Sequence, residues 1–225
     1  MSLFDDTSAP KVRVPAHCRA CPIRTVTVCR AFTPDRLDAA AALKTGDRIL
    51  RAGSVLVRQG DVPKEFFHVV DGWFAVRQET PEGERVFVDV VLPGAFVWYV
   101  AQADETVPVT IQALSTVSVC VYDRRRFTSA LRTEAGLAIE LAAYVSEERN
   151  RMVNRLRQLQ GGQARTRLIA FLLDMRGRAV DSMPHRVQKN AITIPLKQSD
   201  FAEALSMTPV YVNRHLRSLQ DDGLI

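Results

Sequence analysis

The chain has 225 residues, 47% hydrophobic and 24% charged, a balance that excludes disorder and leaves room for two modest domains or one large one. Thirty Lys and Arg against 25 Asp and Glu give a net charge of +5, compatible with a polyanionic partner. No apolar run approaches the ~20 residues of a membrane span, and Met1–Asp6 lacks the basic and apolar regions of a secretory signal, so a cytoplasmic protein is expected.

Residues 1–16 contain Pro10 and Pro15 and no hydrophobic period, which predicts a mobile arm. Cys18, Cys21 and Cys29 follow within a segment, 17–30, that reads as a ligand-bearing loop, too short and irregular for a packed element. Thr33-Pro34-Asp35 starts a short helix, with Thr33 as N-cap and Pro34 at the first helical position.

From about 48 to 127 the pattern changes to short β-type runs: 49–50, 55–57, 66–70, 73–76 and 86–92. Gly and Pro at regular intervals between them indicate an antiparallel barrel or roll. The fourth cysteine, Cys120, lies in Val117-Ser-Val-Cys-Val-Tyr122. Strand alternation puts Val117, Val119 and Val121 on one face and Ser118, Cys120 and Tyr122 on the other.

Residues 134–160 predict a long helix on which Leu137, Leu141, Val145, Met152, Leu156 and Leu159 form a narrow apolar stripe. Such a stripe suits a two-helix seam or an internal core, and dimerisation is the preferred reading. Gly161-Gly162 breaks this helix. A second helix at about 164–178 turns Leu168, Ile169, Phe171, Leu172 and Met175 inward. After a polar connector over 181–190, Ile192–Pro195 predicts a short strand. Ser199–Leu205 then makes a brief helix, Ser206-Met207 a turn, and Thr208 caps a helix with Pro209 at its first position, running to about Gln220.

Helix, short turn, helix is the pattern of a DNA-reading hairpin whose second helix enters the major groove, and equally of an ordinary αα-hairpin, which Ser206 at the turn leaves open. Val212, Leu216 and Leu219 should pack on Phe201 and Leu205. Thr208 opens that helix, and Val210, Tyr211, Asn213, Arg214 and Arg217 are left facing outward. Arginine bonds guanine, asparagine bonds adenine, and apolar groups touch the thymine methyl.

Four cysteines make a complete set for zinc or for an iron–sulfur cluster, and Cys18 and Cys21 alone could form a redox dithiol. Zinc ligands usually come as two nearby pairs, whereas a cluster accepts a remote fourth ligand. Neighbouring His17 and Cys18 rarely ligate one ion together, and His68 reads as a strand residue with a local partner. No Ser/His/Asp set, recognisable acid pair or phosphate-binding glycine loop is present, so an enzyme is not expected.

The order of parts over residues 17–225, a Gly-punctuated roll, a long helix and a C-terminal helix-turn-helix, resembles the Crp/Fnr family of bacterial transcription regulators. The cysteine spacing C-x2-C-x7-C in His17-Cys-Arg-Ala-Cys-Pro-Ile-Arg24, with Cys120 in Ala113-Leu-Ser-Thr-Val-Ser-Val-Cys120, is similar to the oxygen-sensing Fnr branch. The resemblance implies an α+β chain with four parts. These are a cysteine-bearing arm (1–30), a cupin-like or cyclic-nucleotide-binding-like β-roll (31–133), a dimerisation helix (134–160) and a winged helix-turn-helix (161–225). It further implies a 4Fe–4S cluster on Cys18, Cys21, Cys29 and Cys120 that oxygen degrades, loosening a homodimer bound to a palindromic operator, with RNA polymerase as a further partner.

Three departures qualify these expectations. Pro93–Trp98 and Val107–Thr110 lack the glutamate and Arg-Ser pair of the family's cyclic-AMP pocket, so cyclic AMP is not expected. Arg214 matches the Fnr-branch recognition helix, but Val210 and Asn213 do not, so a different half-site is expected. The sequence ends at Ile225, where the wing hairpin would begin, so the wing is expected to be truncated. A structural zinc site, a thiol switch, and a roll that binds a small effector without a DNA role are the alternative functions.

Overall fold

The computed structural model describes residues 17–97, 106–160, 162–183, 186–187 and 191–225. The arm at 1–16, Trp98, Gly161 and most of the 184–190 connector lie outside the described residues.

Among the described residues eight strands form the roll: β1 (Lys44–Leu50), β2 (Val55–Val57), β3 (Glu65–Asp71), β4 (Phe74–Glu79), β5 (Arg85–Val91), β6 (Phe96–Val97), β7 (Thr110–Ala113) and β8 (Val117–Asp123). They make two four-stranded antiparallel sheets, ordered β1-β8-β3-β6 and β2-β7-β4-β5. Val117, Val119 and Val121 point between the sheets, with Phe67, Val69, Phe74, Val76 and Ile111. Cys120 and Tyr122 point the other way, onto an outer face that is also apolar, among Phe66, Val70, Phe96 and Phe127. The turn from β3 to β4 requires Gly72: its φ is +90°, and a Cβ there would lie 2.4 Å from the Val117 side chain.

The helices are α1 (Leu37–Leu43), α2 (Arg124–Thr133), α3 (Ala135–Gln160), α4 (Ala164–Ser182), α5 (Gln198–Leu205) and α6 (Pro209–Asp221). Before α1 the backbone makes a 3-10 turn, Pro34–Arg36. Thr33 precedes it in extended conformation without a side-chain capping bond.

Two expectations are corrected here. Residues 17–32 are a packed element: three 3-10 turns, 18–20, 24–26 and 28–31, bury Ile23, Val28 and Phe32 against the outer face of the first sheet. Three large apolar side chains in such a short stretch provide the burial that irregular backbone alone lacks. Residues 192–195 form no strand; the neighbouring Ala191 makes only an isolated bridge. Ile192 and Ile194 pack on the core instead.

The stripe on α3 divides. Leu137 is 2% and Leu141 is 9% exposed, packed with Phe66, Phe96 and Phe127, so these two belong to the internal core and not to an outward seam. Val145, Met152 and Leu156 are each at least half exposed, and Leu159 packs partly on the core of the last three helices. That core is continuous with the second sheet: Trp73, Phe87 and Val90 meet Leu168, Phe171, Met175, Phe201, Leu205, Val212 and Leu219. Two ion pairs reinforce the junction, Arg77 to Asp200 at 2.5 Å and Arg186 to both oxygens of Asp71 at 2.8 and 2.9 Å.

Candidate functional site

All four cysteines line one cavity, together with His68, Tyr122 and Lys44. Cys120 reaches it from β8. Cys18 and Cys29 reach it from the 3-10 turns and Cys21 from the residue that ends the first turn; the turns are fixed locally, since His17 Nδ1 accepts from Arg19 N at 3.1 Å and Thr27 Oγ1 accepts from Cys29 N at 3.0 Å. Ile23 and Val28 act as apolar anchors on either side of the loop. His17 itself lies on the outside, 3.7 Å from the Asp38 carboxylate.

The cavity encloses only about 20 Å³, room for about one water molecule. Among the described residues, no three His, Cys, Asp or Glu side chains stand close enough to hold a metal ion as they lie. The donor set nevertheless suits a soft, thiolate-bound centre: sulfur from four positions, enclosed by apolar side chains. Burial pushes the Cys29 thiol up to about 11, against hydrogen bonds from Thr27 and Tyr122. Burial pushes Cys120 up to about 12, against the nearby Lys44 charge, and also raises Cys21. The thiols of Cys21, Cys29 and Cys120 are therefore protonated as they stand, and ligation would release those protons.

Two members of this cavity were not legible as such. His68 is 1% exposed, and burial lowers its imidazole to about 3, so it is neutral. Its Nδ1 lies 3.1 Å from Tyr122 Oη and 3.6 Å from Cys29 Sγ. Strand register puts His68 opposite Cys120. The spacing of one strand cannot reveal that pairing.

The second site is the C-terminal hairpin. Ser206 adopts the left-handed conformation, φ 52° and ψ 52°, that closes the turn, a position often held by glycine. Thr208 Oγ1 accepts from Tyr211 N at 3.3 Å, so its hydroxyl caps α6. Val212 and Leu219 are buried and Leu216 partly so, in the core with Phe201 and Leu205, as their spacing required. Val210 is 79% exposed, and Tyr211, Arg214 and Arg217 are exposed beside the half-buried Asn213. Val210, Asn213, Arg214 and Arg217 border a surface groove with Gln198, a residue the sequence did not single out. Gln198 accepts a 2.9 Å hydrogen bond from Asn213 Nδ2, and the Arg214 guanidinium stacks 4.4 Å over the Tyr211 ring. Both contacts organise the groove before any ligand arrives.

The comparisons agree with this architecture. Residues 47–134 match the cyclic nucleotide-binding domain family, and residues 166–225 match the Crp-like helix-turn-helix domain family. The transcriptional activator FnrA of Stutzerimonas stutzeri is 25% identical over 210 residues, 93% of this chain and 85% of that protein. FnrL of Cereibacter sphaeroides is 26% identical over 211 residues, 93% and 84% of the two chains. The nitrogen fixation regulator FixK of Bradyrhizobium diazoefficiens is 24% identical over 209 residues, 92% and 85%. Among solved structures, FixK2 of Bradyrhizobium japonicum superposes with a TM-score of 0.67 at 20% identity, covering 79% of this chain and 85% of that one.

Proposed function

Because the chain belongs to the Crp/Fnr family of DNA-binding transcription regulators, we propose that its cysteine cavity is the sensor, holding a 4Fe–4S cluster that controls dimerisation and operator binding. One observation carries this reading. Cys18, Cys21, Cys29 and Cys120, up to 102 residues apart, converge on a single cavity. Those four residues would hold the cluster, which when bound supplies an oxygen-labile centre.

The chain's own contacts supply a route from that cavity to the seam. Arg30 follows Cys29 directly and pairs with Glu140 and, at 3.5 Å, with Glu147, both on α3. Arg36 pairs with Glu134 at 2.8 Å, just before the same helix. Displacing the 28–31 turn therefore loads the helix whose exposed Val145, Met152 and Leu156 would form the seam with a second copy. A seam near balance is tipped by a few kcal/mol, and two linked half-site readers bind a palindromic operator far better than one. RNA polymerase and a cytoplasmic setting complete the proposal. Among the described residues no helix is long and apolar enough to cross a membrane.

The narrow void also favours a second reading, a single zinc ion or a thiol switch at the same residues. Anaerobic purification followed by iron and sulfide assay, with absorbance spectra before and after air, separates the two. Iron and a charge-transfer spectrum that air bleaches support the cluster. A colourless, iron-free protein refutes it; zinc in that protein supports the ion, and reversible disulfide formation without metal supports the switch.

A further inference from the structure

The outer face of the first sheet brings two further polar groups to the cysteine cavity. β3 and β8 pair so that His68 stands opposite Cys120, with Tyr122 two residues along the same face. His68 Nδ1 lies within reach of both Tyr122 Oη, at 3.1 Å, and Cys29 Sγ, at 3.6 Å, while Tyr122 Oη is 4.0 Å from the same sulfur. His68 Nε2 is buried without a hydrogen-bond partner, and the Phe96 ring centroid lies 4.5 Å from that of the imidazole.

These contacts select a tautomer. A neutral imidazole carries one N–H. On Nδ1 that proton meets two acceptors; on Nε2 it would be an orphaned donor in an apolar wall, and buried orphan donors are rarer than under-satisfied acceptors. The choice sharpens when Cys29 is a thiolate, because that sulfur only accepts. We propose that His68, as the Nδ1–H tautomer and assisted by the Tyr122 hydroxyl, is a positioning residue that holds the Cys29 thiolate in place for metal ligation. This rests on the reading of the cavity as a metal centre. Partners of this kind orient a ligand and draw charge from it, and their loss typically weakens metal binding 10–100-fold.

The test uses the full chain, reduced and anaerobic. Long-range 1H–15N correlation of the labelled histidines locates the His68 proton, the resonance being assigned by its loss in His68→Leu. Cobalt(II) titration, read from the thiolate-to-metal absorption, measures ligation without building a cluster. The proton should lie on Nδ1. His68→Leu and Tyr122→Phe should each weaken cobalt binding about tenfold or more, and His68→Asn, whose amide nitrogen stands near the Nδ1 position, should recover most of it. Tyr122→Phe removes a single oxygen and keeps the aromatic packing, so it remains informative if the His68 variants fold poorly. A proton on Nε2, wild-type cobalt affinity in both His68→Leu and Tyr122→Phe, or His68→Asn no better than His68→Leu overturns the role of His68 alone. A wild-type chain that binds no cobalt overturns the metal reading and the positioning role with it.

Discussion

Leu156 and Leu137 share one stripe in the sequence but have opposite environments, and replacing each by alanine separates the seam from the core. Leu156 is 59% exposed in the single chain and Leu137 is 2% exposed. Full burial of a leucine contributes about 1.5–3 kcal/mol, so covering the remaining 59% of Leu156 in a dimer contributes about 1–2 kcal/mol per chain. A symmetric interface doubles this. Leu156→Ala should therefore cost about 2 kcal/mol or more of association, roughly a 30-fold rise in the dimer dissociation constant. Leu137→Ala should cost about 2–5 kcal/mol of folding stability through the cavity it leaves, with no direct effect on association. Sedimentation equilibrium over a concentration series, on anaerobically prepared protein, measures the first; thermal unfolding measures the second. A dimer constant that does not move in Leu156→Ala would refute the seam. A constant that moves in Leu137→Ala while its melting temperature does not would refute the division of the helix.

Three further outcomes are expected. Cys120→Ala should abolish anaerobic iron retention while leaving the metal-free fold largely intact; iron at the wild-type level would remove Cys120 from the ligand set. Arg214→Ala should weaken operator binding and lose about 1–3 kcal/mol of discrimination at one symmetric base pair per half-site. Uniform weakening across a panel of single-base operator variants at fixed salt would instead assign Arg214 to the phosphates. Asp200→Ala leaves the half-buried Arg77 without its carboxylate partner and removes the carboxylate that accepts from Lys197 N at 2.8 Å, so urea unfolding should show a loss of about 3 kcal/mol. Asp200→Asn keeps an acceptor for Lys197 N but not the charge, and should lose less than Asp200→Ala; a wild-type stability in Asp200→Asn would show that the ion pair with Arg77 contributes nothing.

Local signals in the sequence were enough for the helix-turn-helix. Thr208, Pro209 and the 3-4 spacing of Val212, Leu216 and Leu219 act within one or two turns of backbone, so they determine a capped amphipathic helix wherever it docks. The same holds for the two faces of β8, since alternation is a property of a single strand. Strand pairing is different. Whether His68 or some other residue stands opposite Cys120 depends on a register between segments 52 positions apart, and a one-residue slip would have turned His68 to the inner face. The division of the α3 stripe was equally hidden. Leu137 and Val145 are both apolar at helical spacing, and only the arrival of Phe66, Phe96 and Phe127 over the first half buries one and leaves the other exposed. Residues 192–195 carry strand propensity, yet a strand needs a neighbour, and propensity does not supply one. The sequence by itself thus determined the four cysteines and the capped amphipathic helix after the turn. Tertiary structure alone decided that the cysteines share one cavity, that His68 and Tyr122 join them, and how much of α3 is left for a partner, because each depends on contacts between segments distant in the chain.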